Sequence, residues 1–244
     1  MATSLRGGAR HGATLAINPG PPRPVSLWLE LAFALLVALV TAFVLKVFVI
    51  QSFYIPSVSM ENSLLVDDRV TVTKLSPGLF DVHRGDIVVF HDPDGWSSDQ
   101  LPLPQERGFA SWLHGVAQSL GLAPESADDF IIKRVIGLPG DTVACAGPGE
   151  PVTVNGQPLD ETYLKPGVDP SAIAFRVTVP EDGLWVMGDN RSSSWDSRYH
   201  QDQVLGGAVP LDNVVGVAKW RLWPLDRIGV LKNPSAVFKD VPAP

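Results

Sequence analysis

The sequence has few charged residues and almost no cysteine. Only 18% of its 244 residues are Asp, Glu, Lys or Arg, below the usual ~25%, whereas 45% are hydrophobic, which excludes a disordered chain. The single cysteine, Cys145, excludes an intramolecular disulfide and a cysteine-based zinc cluster, and we interpret it as a bystander thiol. The 19 Lys and Arg are outnumbered by 26 Asp and Glu, which argues against a nucleic-acid partner.

Positive charge is concentrated near the N-terminus. Residues 1–50 carry four basic side chains and one acidic one, a balance of +3, which leaves −10 for the remaining residues. Residues 1–26 hold three arginines, no acid and a proline-rich run over 19–24. This composition predicts a disordered tail, and the positive-inside rule assigns it to the cytoplasm.

One long apolar run follows this tail. Residues 31–45 contain no charge, and a helix over 31–50 would be ~30 Å long, the thickness of a bilayer core. A cleaved signal peptide would have an apolar core of ~7–15 residues and then a small-x-small site, whereas this run continues into bulky side chains. We therefore predict an uncleaved transmembrane signal anchor over residues 27–50.

No second apolar run of this length occurs in the sequence. A single pass is therefore predicted, with the N-terminus in the cytoplasm and the lipid bilayer as a partner. Residues 51–244 then form an extracytoplasmic domain at the plasma membrane.

Beyond the apolar run, short β-type segments alternate with turn residues. These segments are too short and too closely spaced for βαβ units, so a mainly β domain of antiparallel sheets is predicted. Asn155 and Gly156 predict a type I′ hairpin. A polar insertion over 91–129 contains apolar residues at helical spacing over 109–120, which indicates a short amphipathic helix packed on the domain or touching lipid. The predicted strands are 69–74, 86–90, 130–136, 184–187, 214–218 and 220–223.

Lys133 stands within an otherwise apolar strand. Strand alternation aims its side chain to the same face as Ile131 and Val135, where burial would depress the pKa of the amine. A lysine that is neutral near pH 7–8 can act as a general base for a serine nucleophile. Taken alone, Lys133 is better interpreted as a lysine that reaches solvent and pairs with a surface acid, as most lysines do.

Three polar clusters in fixed order decide between these interpretations. They are the Ser-x-Ser-Met of 57–60, the Lys-Arg-x-x-Gly-x-Pro-Gly-Asp of 133–141, and the Gly-Asp-Asn-Arg to Ser-x-Asp-Ser-Arg run of 188–198. With the anchor, the Arg-Gly-Asp-Ile-Val of 84–88 and the Trp-Pro-Leu-Asp-Arg-Ile-Gly of 223–229, the chain resembles bacterial type I signal peptidase over nearly all of residues 28–228.

The resemblance implies a role for each matching residue. Ser59 is the nucleophile and Lys133 the general base. The oxyanion hole is formed by the backbone N–H of Ser59 and the hydroxyl of Ser57, and Ser194 orients the lysine. The residues that support the site by ion pairing are Arg134, Asp189, Asp196 and Arg198. The residues that line shallow pockets for small side chains are Phe53, Ile55, Met60, Leu64 and Ile132.

The resemblance also implies the reaction. Signal peptides would be removed from exported preproteins after small-x-small, Ala-x-Ala-like sites, with the substrate bound as an added β-strand. No cofactor and no metal are expected. The resemblance therefore implies a membrane-bound serine endopeptidase with a signal-peptidase-like catalytic domain.

The sequence departs from the family pattern at a few positions near the proposed nucleophile. Asn62 and Ser63 stand where Pro-Thr is common, and Asp67 stands where glycine is usual. If that glycine serves a positive φ, Asp67 is a tolerable substitute at higher energy. Ser192 and Ser193 likewise replace Asp-Asn or Ser-Asn. All of these substitutions bear on fine substrate preference.

Other functions remain as alternatives. The chain is also interpretable as a catalytically silent, membrane-tethered β-domain that binds exported chains. A related self-cleaving repressor would need a DNA-binding N-terminus in place of the apolar run. His200 near Asp196 suggests a histidine-based hydrolase, and the acidic residues Asp92, Asp94 and Asp99 suggest calcium, although the terminal bidentate Glu of a calcium loop is missing.

Overall fold

The structure is a computed structural model that describes residues 27–93, 95–96 and 130–244. It does not describe the side chains of residues 44–48 and 204. The predicted tail over 1–26 lies outside the described residues, and so does most of the insertion, including the helix predicted over 109–120. The chain divides into two compact units. The first ends at Thr41, and the second runs from Ala42 to Pro244 and contains every described strand.

Helix α1, Leu27–Phe48, forms where the sequence predicts a helical anchor. Its leucines and alanines favour helix, and large apolar side chains such as Trp28 and Phe33 are exposed along it. None of the helices among the described residues combines the length and the apolarity of a membrane span, for which ~20 consecutive apolar residues are needed. The prediction over 27–50 is therefore met by a helix, but the predicted transmembrane span is not found.

The described strands form two antiparallel sheets, which confirms the predicted mainly β architecture. The large sheet has eight strands in the order β1-β2-β11-β3-β4-β9-β10, with β12 paired to β11, and the small sheet has the order β7-β6-β5-β8. The strands are β1 (Ile50–Tyr54), β2 (Arg69–Thr73), β3 (Ile87–His91), β4 (Phe130–Gly137), β5 (Thr142–Cys145), β6 (Thr153–Val154), β7 (Gln157–Pro158), β8 (Phe175–Thr178), β9 (Gly183–Met187), β10 (Val209–Pro210), β11 (Val214–Trp223) and β12 (Gly229–Val230).

Apolar side chains pack on both faces of the large sheet. On β4, Ile132 belongs to one buried cluster, whereas Ile131 and Val135 belong to a cluster on the opposite face. A third cluster packs the small sheet against Trp185 of β9. Fully burying such a side chain stabilises the fold by ~1.5–3 kcal/mol. Because both faces of β4 are covered, any polar side chain within it is held away from water.

Three local predictions can be compared with the structure. The hairpin between β6 and β7 is confirmed, with φ of +51° at Asn155 and +81° at Gly156. The two strands predicted over 214–223 are a single strand, β11, with an irregularity at Lys219. Cys145 ends β5 and is buried, whereas its surroundings read as turns in the sequence. The glycines and prolines flanking this four-residue strand conceal its pattern.

Candidate active site

A buried serine, in a turn, contacts a buried lysine on strand β4 of the large sheet. Lys133 lies in the middle of β4, opposite Val88 of β3, and its side chain is 5% exposed. Its Nζ is 2.8 Å from the Oγ of Ser59, which is 4% exposed. These residues are 74 positions apart in the sequence, and the fold places them in direct hydrogen-bond contact.

The apolar surroundings lower the pKa of Lys133 from its ordinary value of 10.5 to about 8. Burial is the largest cause, because the ammonium loses its hydration. The negative charges of Asp196 and Asp189 act in the opposite direction, and the nearby Arg198 lowers the pKa further. A substantial fraction of this lysine is therefore neutral near pH 7–8.

Ser59 lies in a turn that is held by the chain following β9. The backbone N–H of Asn190 donates to the carbonyl of Ser59 at 3.0 Å, and the Asn190 amide donates to the carbonyl of Val58 at 3.1 Å. The hydroxyl of Ser57 is 3.2 Å from that of Ser59. The Ser57 hydroxyl therefore lies beside that of Ser59 and is a donor of the kind that can stabilise a developing oxyanion.

Gly188 is packed too tightly for any side chain. A Cβ at this position would lie within 2.5 Å of the Ser59 carbonyl and closer still to the Ser194 hydroxyl. The glycine therefore allows the backbone after β9 to touch the turn that carries Ser59. No role of Gly188 is predicted from the sequence, although its position at the head of a polar cluster is a signal for one.

Ser194 and Asp196 form a buried polar network beside Lys133. The Ser194 hydroxyl donates to Asp196 at 2.7 Å, and the backbone N–H of Gly188 donates to the same carboxylate at 3.0 Å. Arg198 pairs with Asp196 at 2.8 Å and 2.9 Å. Although burial opposes it, this arginine together with the hydrogen bonds lowers the pKa of Asp196. Asp196 therefore stays ionised.

Arg134 and Asp189 form a second buried ion pair. Two hydrogen bonds of 2.7 Å and 2.6 Å join them, and the guanidinium also donates to the carbonyl of Gly85 at 2.7 Å. Arg134 follows Lys133 directly on β4, so this pair ties the lysine strand to the chain after β9. Breaking such a pair on one side costs ~3–5 kcal/mol.

The five residues expected to line substrate pockets are brought together. All belong to one buried apolar cluster on the face of β4 that carries Ile132, and none is more than 7% exposed. Phe53 also makes an edge contact with Phe130, with ring centroids 5.0 Å apart. They are Phe53, Ile55, Met60, Leu64 and Ile132.

A third buried ion pair was not predicted from the sequence. Glu161 pairs with Arg191, which also donates to the carbonyl of Gly188 at 3.1 Å. The hydroxyl of Tyr163 donates to Glu161 at 2.6 Å, and burial, with the charge of Glu161, raises the Tyr163 pKa well above 10.0. Glu161 lies in a turn-rich stretch with no periodicity, so no sequence signal connects it to Arg191.

The described residues do not support the two alternative sites, the histidine-based one at His200 and the acidic calcium site. His200 stacks on Trp96 with ring centroids 4.3 Å apart, and burial lowers its pKa, whereas the hydrogen-bond partner of Ser59 is Lys133. Asp94 and Asp99 lie outside the described residues. Within the described ranges, no group of three His, Cys, Asp or Glu side chains forms a candidate metal site.

Comparison with known proteins bears on this arrangement. The sequence matches the signal peptidase family, peptidase S26, over residues 28–223. It is 36% identical to signal peptidase I of Mycobacterium tuberculosis over 244 residues, covering 91% of this chain and 82% of that protein. It is also 36% identical to probable signal peptidase I-2 of Synechocystis, covering 87% and 81%. A crystal structure of a signal peptidase I from Enterococcus faecalis is 26% identical and covers 56% of this chain and 95% of that one, with a TM-score of 0.34.

Proposed function

The chain belongs to the signal peptidase family, peptidase S26, as a type I signal peptidase, and we propose that it removes signal peptides from exported preproteins with Ser59 as nucleophile and Lys133 as general base. It is a serine endopeptidase. The observation that carries the proposal is the 2.8 Å contact between a buried, largely desolvated amine and a serine hydroxyl.

The proposed reaction begins with proton transfer. Neutral Lys133 takes the proton of Ser59 as its Oγ attacks the carbonyl carbon of the scissile peptide bond. The tetrahedral intermediate collapses when the ammonium of Lys133 returns that proton to the leaving amine. Neutral Lys133 then takes a proton from the water that attacks the acyl-enzyme. It returns this proton to Ser59 Oγ as the bond between Oγ and the acyl carbon breaks, which releases the signal peptide with a new carboxyl group and restores the dyad.

The oxyanion of the intermediate is expected to bind the backbone N–H of Ser59 and the hydroxyl of Ser57. Removing one donor of this kind costs ~2.7–4 kcal/mol of transition-state stabilisation. Ser194 is the proposed positioning residue for the Lys133 ammonium; its hydroxyl donates to Asp196, whose negative charge acts on Lys133. The ion pairs of Arg134 with Asp189 and of Arg198 with Asp196 keep these groups at fixed positions.

Cleavage after small-x-small sites is proposed from the pocket residues. Phe53, Met60 and Ile132 belong to one apolar cluster and are almost fully buried, so they expose little apolar surface to a substrate side chain, which favours small ones. Strand β1, which carries Phe53, lies at the edge of the large sheet among the described strands. An extended substrate that adds to such an edge gains main-chain hydrogen bonds, and the adjoining pockets select its side chains.

Membrane attachment through helix α1 is also proposed. Its exposed apolar side chains favour a lipid environment. The single-pass topology, with a cytoplasmic N-terminus and an extracytoplasmic catalytic domain, stays a prediction from charge. Partitioning of the intact chain between membrane and soluble fractions tests the attachment, and external protease added to spheroplasts tests the orientation.

The catalytic proposal is tested with a purified preprotein in detergent. Ser59→Ala and Lys133→Ala are each expected to lower cleavage by at least about 10³-fold, since members of a catalytic unit fail together. Full activity in either variant would exclude the dyad. A silent binding domain would instead retain the preprotein without cleaving it, even in the parent protein.

A further inference from the structure

The segment 161–165, which follows β7, contacts both halves of the active site; we call it the brace. The carbonyls of Tyr163 and Leu164 accept hydrogen bonds from the Asn62 amide at 2.9 Å and 3.1 Å. The backbone N–H of Lys165 donates to the carbonyl of Asp189 at 3.0 Å. The brace thus joins the turn that carries Ser59 to the chain that follows β9.

The same segment also reaches the strand of the lysine. The guanidinium of Arg134 lies over the ring of Tyr163, 4.4 Å from its centroid, and Arg134 is the neighbour of Lys133 on β4. Asp189, whose carbonyl is held by the brace, directly precedes Asn190, which holds the Ser59 carbonyl. Three elements that set the position of Ser59 against Lys133 therefore meet on one segment.

Asn62 makes this contact possible by an unusual backbone conformation. Its φ is +101°, a region that asparagine enters more readily than other side chains and that proline, fixed near −65°, cannot adopt. Proline is common at this position in the resembling family, and it has no side-chain donor. In this chain, two amide hydrogen bonds to the brace take the place of a rigid ring.

We propose that Asn62 is a positioning residue that acts through the brace to hold Ser59 Oγ within hydrogen-bond distance of Lys133 Nζ. The proposal rests on the proposed Ser59–Lys133 dyad. Asn62 is three residues from Ser59, and its amide spans 101 positions to reach Tyr163. If these two hydrogen bonds are lost, the turn moves relative to β4, and a misplacement of about 1 Å at the reacting atoms can cost about 10²-fold in rate.

The test compares two glycine substitutions on the same loop. Asn62→Gly keeps the positive φ and removes both hydrogen bonds to the brace. Asp67→Gly is the matched control, because Asp67 has a φ of +72° and its side chain accepts from Tyr54 instead of contacting the brace. The readouts are kcat and KM on a preprotein, the pH profile of kcat, and urea unfolding, all with the full chain in detergent.

Asn62→Gly is expected to lower kcat roughly tenfold at unchanged KM, a loss comparable with that of two ordinary hydrogen bonds. The midpoint of its pH profile moves upward, because water reaches Lys133 when the contact loosens. Asp67→Gly keeps the parent kcat and midpoint. A merely structural role for Asn62 would lower urea stability and leave the midpoint in place.

The proposed role of Asn62 is wrong if Asn62→Gly has the kcat and the pH profile of the parent protein. It is also wrong if kcat falls equally in Asn62→Gly and Asp67→Gly. If Asn62→Gly fails to fold, Asn62→Asp provides the same test, since it keeps the volume and tolerates the φ but has no donor. Ser59→Ala and Lys133→Ala, assayed in parallel, separate the two hypotheses. Activity in either contradicts the dyad, whereas inactive dyad variants beside a normal Asn62→Gly contradict only the brace.

Discussion

The buried lysine should destabilise the protein at neutral pH, and Lys133→Met should reveal by how much. With a pKa of about 8 in the folded protein and 10.5 unfolded, the unfolded state binds more protons between these values. Stability therefore rises with pH through this window. The 2.5-unit difference corresponds to ~3 kcal/mol at pH 7 and falls to ~2 kcal/mol at pH 9.

Lys133→Met keeps the length of the side chain and removes its charge. It also removes the hydrogen bond between Lys133 and the Ser59 hydroxyl, at a cost of ~1 kcal/mol. We expect the variant to be inactive and ~2 kcal/mol more stable than the parent at pH 7, with this gain shrinking towards pH 9. Urea unfolding in detergent at both pH values measures the difference.

The matched control is Lys239→Met, because the side chain of Lys239 is 70% exposed. Its stability change should be small at both pH values, because an exposed side chain keeps its hydration when the protein folds. A Lys133→Met variant that is less stable than the parent, or whose gain is equal at pH 7 and pH 9, would refute the argument that burial sets this pKa.

Three further predictions concern the remaining site residues. The kcat/KM of the parent should rise with pH to a midpoint near 8, and a flat profile from pH 6 to 10 would contradict a lysine base. Ser57→Ala should lower kcat about 10²–10³-fold at similar KM if its hydroxyl binds the oxyanion, and kinetics equal to the parent would remove it from that role. Glu161→Gln leaves Arg191 uncompensated and should cost ~3–5 kcal/mol in urea unfolding, which a change below about 1 kcal/mol would contradict.

Much of the fold was predictable because its signals are local. Alternation and short apolar runs predict β2, β3, β4 and β9 to within a residue or two, since a strand with buried faces needs apolar side chains along its length. Strand β1 was missed because it continues directly from the apolar run of α1. In the small sheet, the hairpin of β6 and β7 was predicted from its Asn-Gly turn, whereas β5 and β8 were missed because four residues carry too little periodicity.

The departures near Ser59 show where local reasoning stops. Asp67 has a φ of +72°, the positive φ suggested by the glycine that is usual at this position in the resembling family. The φ of +101° at Asn62 has no such signal, and its hydrogen-bond partners lie about a hundred residues away. Likewise, Gly188 is required because the Ser59 turn, from a distant part of the chain, and the nearby Ser194 both approach it closely.

The sequence by itself determined the residue types of the site, the mainly β architecture and the helical segment over Leu27–Phe48, because each depends on neighbouring residues. It could not determine the desolvation of Lys133, since a lysine in an apolar run still has a flexible stem that can reach water. The tertiary structure decided that question. Coverage of both faces of β4 withholds water from the amine, and the turn held by Asn190 brings Ser59 to it.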